Sequence, residues 1–148
     1  MNTRNISEKD YDKVLSVLND WWGGRQMNHL LPPLFFEHFQ STSFIVEEKE
    51  ELSAFLIGFV SQTRPTEAYI HFIGVHPKHR KKGIAGELYH LFFSKVQELG
   101  CNTITCITTP INEGSISFHK SLGFSVELRK DYAGPGQDRI LFTKKIGS

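Results

Sequence analysis

Residues 75–88 read VHPKHRKKGIAGEL, with Lys78, Arg80, Lys81 and Lys82 crowded just ahead of Gly83, Ala85 and Gly86. Helical periodicity begins at Gly83, so this basic run sits where a strand hands over to a helix. The first N–H groups of a helix have no intrahelical partner, and the helix dipole adds partial positive charge at the same end. Small residues there let an anion reach the main chain, and the adjacent cations add formal charge. The expected chemistry is therefore the binding of a phosphate or diphosphate. Neither GxxxxGK[ST] nor GxGxxG is satisfied, which argues against an NTPase loop and a dinucleotide-binding turn.

The rest of the chain bounds what such a cradle can serve. The 148 residues carry 17 Lys plus Arg against 16 Asp plus Glu, a formal charge of +1. That near-neutral balance lacks the basic excess of a nucleic-acid binder, so no nucleic-acid partner is expected. Cys101 and Cys106 are the only cysteines and form no CxxC; both are expected in or near the core, in a reducing compartment. The seven histidines, including His76 and His79, show no cysteine or carboxylate arrangement typical of a metal site, and no metal is expected. No segment approaches about 18 uninterrupted apolar residues and no signal-like stretch opens the chain, so a cytoplasmic protein without membrane attachment is expected. A chain of this length buries roughly two-thirds of its unfolded surface, enough for one domain over residues 1–148.

The elements that must position the cradle follow from periodicity. Ser7 with Asp10 three residues later suggests a helix start, and Tyr11, Val14, Leu15, Leu18 and Trp22 recur at helical spacing over about residues 8–20. The segment WWGGRQMNHLLPP breaks that helix, and LFFEHF reads as a short second one beginning at a proline. Residues 43–48 and 52–62 read as strands of a hairpin, and EAYIHFIGV (67–75) as a central strand. Alternation along it places Glu67, Tyr69, His71, Ile73 and Val75 on one face. From Gly83 the stripe Ile84, Leu88, Leu91, Phe92, Val96 and Leu99 predicts the longest helix, closed by Gly100. A buried strand (103–109), a short helix ending at Gly123 and two final strands around AGPGQ complete a mixed α/β sheet. Exposed edge strands are compatible with a monomer or a homodimer.

Arg80, Gly83 and Ala85 form Arg-x-x-Gly-x-Ala after a strand that ends in Val75-x-Pro77. Together with PINEGSISFHKSLGF downstream, this pattern resembles the two signatures of the GNAT superfamily of N-acetyltransferases, and the resemblance covers about residues 43–128. It implies a mostly antiparallel mixed sheet in which 67–75 splays from its parallel neighbour 103–109. It implies further that the amides of Lys81, Lys82, Gly83, Ile84, Ala85 and Gly86 hold the diphosphate of acetyl-CoA, with Arg80 adding charge. The main chain of Ile73, Gly74 and Val75 would pair with the pantetheine arm as an added strand. Asn112 bonds the pantetheine amide or caps its helix, and Ser115 and His119 belong to the same cofactor-binding set.

Acetyl transfer to an amine needs a base for the ammonium, donors for the developing oxyanion and a proton for the departing thiolate. Backbone N–H groups near Val75 are candidates for the second. Many GNAT members carry Tyr where this sequence has His119, so His119 is the expected acid; Phe118 beside it is expected in the core. Tyr69 stands where many relatives have a strand glutamate, which leaves His71 as the first substitute base and Glu67 as the second. The family lines its acceptor pocket with the segment joining its first two helices. Here that segment offers Trp21, Trp22 and Arg25, with Trp22 favoured as the core member of the pair by its spacing from Leu18. The loop DYAGPGQD would close the other side with Tyr132. An alternative of a different kind is a non-catalytic acyl-CoA-binding module.

Overall fold

A computed structural model describes residues 1–147. In chain order the elements are β1 (Asn2–Asn5), α1 (Asp10–Trp21), α2 (Leu34–His38), β2 (Phe44–Glu48), β3 (Glu51–Val60), β4 (Glu67–Val75), α3 (Ile84–Glu98), β5 (Thr103–Thr108), α4 (Glu113–Ser121), β6 (Ser125–Arg129) and β7 (Arg139–Lys145). The strands form one seven-stranded sheet in the order β1-β2-β3-β4-β5-β7-β6. Every neighbouring pair is antiparallel except β4 and β5. The mixed sheet flanked by helices and its central parallel pair match the architecture expected from the sequence.

β1 is an addition to that expectation. Four polar residues show no alternation, and they are held as an edge strand because Arg4 reaches Asp10 of α1 (2.8 Å) and Glu47 of β2 (2.9 Å). The same ion pairs explain the helix start. Ser7 does not cap α1 with its side chain; instead the Asp10 carboxylate accepts from the Ser7 N–H at 2.8 Å. Asp10 thereby accepts four hydrogen bonds, two from Arg4 and two from Ser7, which makes its burial tolerable.

Alternation along β3 divides the core. Phe55 and Ile57 face α1 and α2, packing on Leu18, Trp21 and Phe36, whereas Ala54 and Leu56 face α3 with Leu88, Tyr89 and Phe92. The buried stripe of α3 is rotated from the expected one. Tyr89 and Phe93 are inside, while Leu91 and Leu99 are exposed. A two-sided sheet of this kind needs the wider apolar arc that Tyr89 and Phe93 supply.

β4 departs from simple alternation. Ile57 pairs with Phe72 and Gly58 with Ile70, so His71 is an extra residue, a β-bulge. The bulge reverses which residues face which layer. Ala68 and Ile70 belong to the α3 side, Phe72 crosses to the α1 side, and Ile73 and Val75 return to the α3 side. The single face expected for Glu67, Tyr69, His71, Ile73 and Val75 is therefore split: the two ends of β4 present their odd-numbered residues to opposite layers.

Candidate active site

β4 and β5 are paired only from Glu67↔Thr103 to Tyr69↔Thr105. Beyond Tyr69 the strands part, and β5 continues on β7 alone through Thr108↔Ile140. The open edge of β4 can be read from its other neighbour. The His76 N–H donates to the Ser53 carbonyl at 2.8 Å, which makes Ala54 and Val75 a non-hydrogen-bonded pair and, by alternation, Leu56 and Ile73 another. The N–H and C=O of Ile73 and of Val75 thus point away from β3 into the gap. Those of Gly74 turn back to Phe55. A ligand strand entering the gap meets the open N–H and C=O of Ile73 and the open N–H of Val75, whose carbonyl already accepts from Arg80 Nε at 3.1 Å; these are two of the three residues named from the sequence.

Gly74 matters for packing on the α1 face rather than for the gap. A Cβ there would lie 2.6 Å from the Phe55 ring and 2.8 Å from the Trp22 ring, so only hydrogen fits beneath those aromatics. At the end of the strand the cradle takes the form expected. Lys81 and Gly83 have positive φ (67° and 80°), Gly83 is the N-cap of α3, and a Cβ at Gly83 or Gly86 would meet no protein atom within 4 Å. Left-handed backbone at two nearby positions turns successive N–H groups toward a common point, and the space above them is clear. Ile84 gives only its backbone to this turn because its side chain is core, and Lys82 is fully at the surface outside the cavity lining.

α4 forms the opposite wall. Asn112 caps it, one of the two roles expected of it: Oδ1 accepts from the Ser115 N–H at 3.1 Å and Nδ2 donates to Thr108 Oγ1 at 3.1 Å, and the residue also borders the cavity. Phe118 and His119 both line the cavity, and Phe118 is not in the core, contrary to expectation. Phe118 is half-buried and lines the cavity, whereas His119 is 5% exposed and stacked on Phe142 at 4.0 Å. His119 Nδ1 lies 2.7 Å from the Ser115 carbonyl, which can only accept, so the proton is on Nδ1. Nε2 then accepts from the buried Tyr89 hydroxyl at 2.9 Å. Burial pushes the His119 pKa down against the opposing pull of the Ser115 bond, so the ring is neutral.

A cavity of about 540 Å³ is lined from both sides of the sheet, by Trp21, Trp22 and Arg25 on one and Ala85, Ser115 and His119 on the other, with Ile73–Val75 between. A second, of about 360 Å³, lies over Lys81, Gly83 and Gly86 and shares Val75, Arg80, Ala85 and Phe118 with the first. The two make one groove that passes from the glycine turn through the splayed strands. The Acetyltransferase (GNAT) family model matches residues 11–124. The chain belongs to the GNAT family. No curated protein matches it in sequence. Among solved structures it is similar to Ard1 from Thermoplasma volcanium, with 20% identity, 99% of this chain and 98% of that one covered, and a TM-score of 0.81. It is similar to yncA from Salmonella typhimurium, solved with its cofactor acetyl-CoA (17% identity, 99% and 94% covered, TM-score 0.76). Diaminobutyrate acetyltransferase EctA from Paenibacillus lautus, in complex with L-2,4-diaminobutyric acid and coenzyme A, aligns at 20% identity over 96% and 92%, with a TM-score of 0.77.

In this GNAT domain the α1 layer holds the remaining candidates. Trp21, not Trp22, is the core tryptophan, 5% exposed and stacked on Phe55 at 6.0 Å; Trp22 is half-buried against Phe72. The helix ends at Trp21, in line with Val14 and Leu18, and Trp22 leaves the helical path as its C-cap with φ −106° and ψ 29°. His71 stacks on Phe35 at 4.2 Å, and its Nε2 donates to the Leu30 carbonyl at 2.6 Å. Its Nδ1 has no partner among the described residues and is not sealed from solvent. Burial lowers its pKa against the Leu30 bond, leaving that nitrogen unprotonated at neutral pH. Glu67 is less free, since Thr105 Oγ1 donates to it at 3.2 Å and Arg64 lies 3.6 Å away. Tyr69 packs on Phe59, and burial, with Tyr132 nearby, drives its phenol pKa upward. Tyr132 is half exposed on the loop between β6 and β7. Glu67, Tyr69, His71 and Tyr132 lie outside the lining of the groove itself.

The sequence reading missed Tyr89 and the Leu30 carbonyl. A signal for Tyr89 existed, because a tyrosine within an apolar helix face must find a partner for its hydroxyl. The Leu30 carbonyl had none, being main chain brought up by the tertiary fold. Among the described residues no group of three His, Cys, Asp or Glu side chains converges, and no helix is long and apolar enough to cross a membrane.

Proposed function

We propose that this GNAT domain transfers the acetyl group of acetyl-CoA to a primary amine on a small molecule or peptide. The observation that carries the reading is the unpaired edge of β4 at Ile73 and Val75, which runs directly into the open glycine turn at Gly83 and Gly86. Main-chain groups at Ile73 and Val75 fit the amides of a pantetheine arm, and the amides of residues 81–86 fit its diphosphate. Acetyl-CoA supplies an activated thioester carbonyl. The Val75 N–H, directed into the gap, is a donor for charge developing on that carbonyl's oxygen.

His71 is the base in this reading. The Leu30 carbonyl fixes its tautomer and presents an unprotonated Nδ1, the arrangement of a base oriented by a third group. It lies on the α1 layer, from which the acceptor would enter, with Trp22 and Arg25 shaping that entrance. The His119 ring has both nitrogens committed within the protein, so its direct service as the acid requires the Nδ1 proton to leave Ser115. The same commitment favours the second reading, an acyl-CoA-binding module without turnover. Incubation of the protein with acetyl-CoA and a panel of polyamines, amino acids and peptide N-termini, followed by free thiol, separates the two. Acceptor-dependent thiol release is expected; coenzyme A binding without release for any acceptor would leave the binding module.

A further inference from the structure

Arg80 belongs to the phosphate-binding segment by position, yet its side chain turns the other way. Nε donates to the Val75 carbonyl at 3.1 Å and Nη2 to the Trp21 carbonyl at 2.6 Å. Trp21 ends α1, and its carbonyl receives no N–H from the following residues: Gly24 returns to Asn19 and Arg25 to Trp22. A cation at a helix C-terminus satisfies both the orphan carbonyl and the negative end of the dipole. Beyond the helix end, residues 22–27 make hydrogen bonds only within the segment 19–30, among the described residues. Gly23 and Gly24, both at positive φ, give this stretch little stiffness of its own. Arg80 also borders both cavities.

We propose that Arg80 is a positioning residue that ties the acceptor-side wall, Trp21 to Arg25, to the cofactor turn, so that occupancy of the turn is felt at the wall. The inference rests on the cofactor reading above. The guanidinium fork is what makes the tie: two donors of fixed spacing bridge a strand-end carbonyl and a helix-end carbonyl, a rigid geometry that the single ammonium of a lysine lacks. An anion in the turn would immobilise residues 81–86, and with them the backbone that carries the fork. The wall then holds the position in which Trp22 overlies Gly74.

The chain has only two tryptophans, Trp21 and Trp22, so its tryptophan fluorescence reports this wall alone. Coenzyme A titrations of wild type, Arg80→Gln and Arg80→Lys would be followed by fluorescence and by calorimetry, with amide exchange measured with and without coenzyme A. In both variants exchange at residues 21–27 is expected to quicken by about tenfold even without coenzyme A, as befits loss of one charged hydrogen bond on a local opening. At coenzyme A concentrations that calorimetry shows to be saturating for each variant, the coenzyme A-dependent fluorescence change is expected to be lost. Wild-type exchange rates in the variants overturn the tie, as does a large loss of calorimetric affinity with the fluorescence response intact, which would make Arg80 a plain phosphate ligand. A wild type that takes up no coenzyme A refutes the cofactor reading instead, and the exchange without ligand still decides whether the tie exists.

Discussion

The Tyr89 hydroxyl donates to Nε2 of His119 across 2.9 Å, joining α3 to α4 beneath the groove, with both residues buried. Tyr89→Phe keeps the ring and removes only the donor. Nε2 would then be buried without a partner, at a cost of about 1–3 kcal/mol. Urea denaturation should show a lower midpoint with an unchanged slope. An unshifted midpoint would mean that another donor replaces the hydroxyl.

His71 and His119 both have pKa values held below the usual 6.5 by burial. The folded protein therefore binds fewer protons than the unfolded chain as pH falls below about 6.5. The linkage makes stability flat above that value, then progressively smaller on acidification until the folded-state pKa values are reached. Thermal melts from pH 8 to 5 should show this fall, and His119→Phe should lessen it. A melting temperature independent of pH across the window would contradict the buried neutral rings.

His71→Ala should lower kcat by roughly 10²–10⁴, the usual contribution of a positioned base, and leave coenzyme A affinity unchanged. In the wild type the acid limb of the rate profile should lie below pH 6.5, in keeping with the lowered pKa. Wild-type turnover in the variant would remove His71 from the chemistry.

Gly83 tests the cradle with two substitutions. Asn tolerates positive φ, whereas Val is strained there by about 1–2 kcal/mol. Both side chains would fill the space over the turn, so both should weaken coenzyme A binding by at least about tenfold, roughly 1.4 kcal/mol. Only Gly83→Val should also lower the melting temperature. Calorimetry showing undiminished binding in Gly83→Asn would refute the placement of the diphosphate.

Gly74→Ala places a methyl group against the rings of Phe55 and Trp22. One of them must move, and overpacking of this kind costs about 1–3 kcal/mol. Trp22, the half-buried partner, is the ring expected to yield. A shifted tryptophan emission together with reduced stability is the predicted outcome; unaltered emission would place the adjustment at Phe55.

Local chemistry made much of this legible in advance. The bounds of β4, the long helix with its Gly100 cap, the hairpin of β2 and β3 and the glycine turn all rest on neighbours in sequence, where φ preferences and apolar spacing act directly. β1 escaped notice because its stability comes from Arg4 bonding to distant Asp10 and Glu47. Strict alternation failed at His71 because one inserted residue, set by pairing with β3, reverses the facing of all that follow.

The amino-acid order alone determined the family, the class of fold and where a glycine turn opens the long helix, since those depend on short-range geometry that a few side chains impose. Tertiary packing alone decided that His119 accepts from Tyr89, that Trp21 rather than Trp22 is core and that Arg80 faces two carbonyls. Each of those outcomes depends on which groups far apart in the chain arrive within hydrogen-bonding or van der Waals reach, and no local preference encodes that.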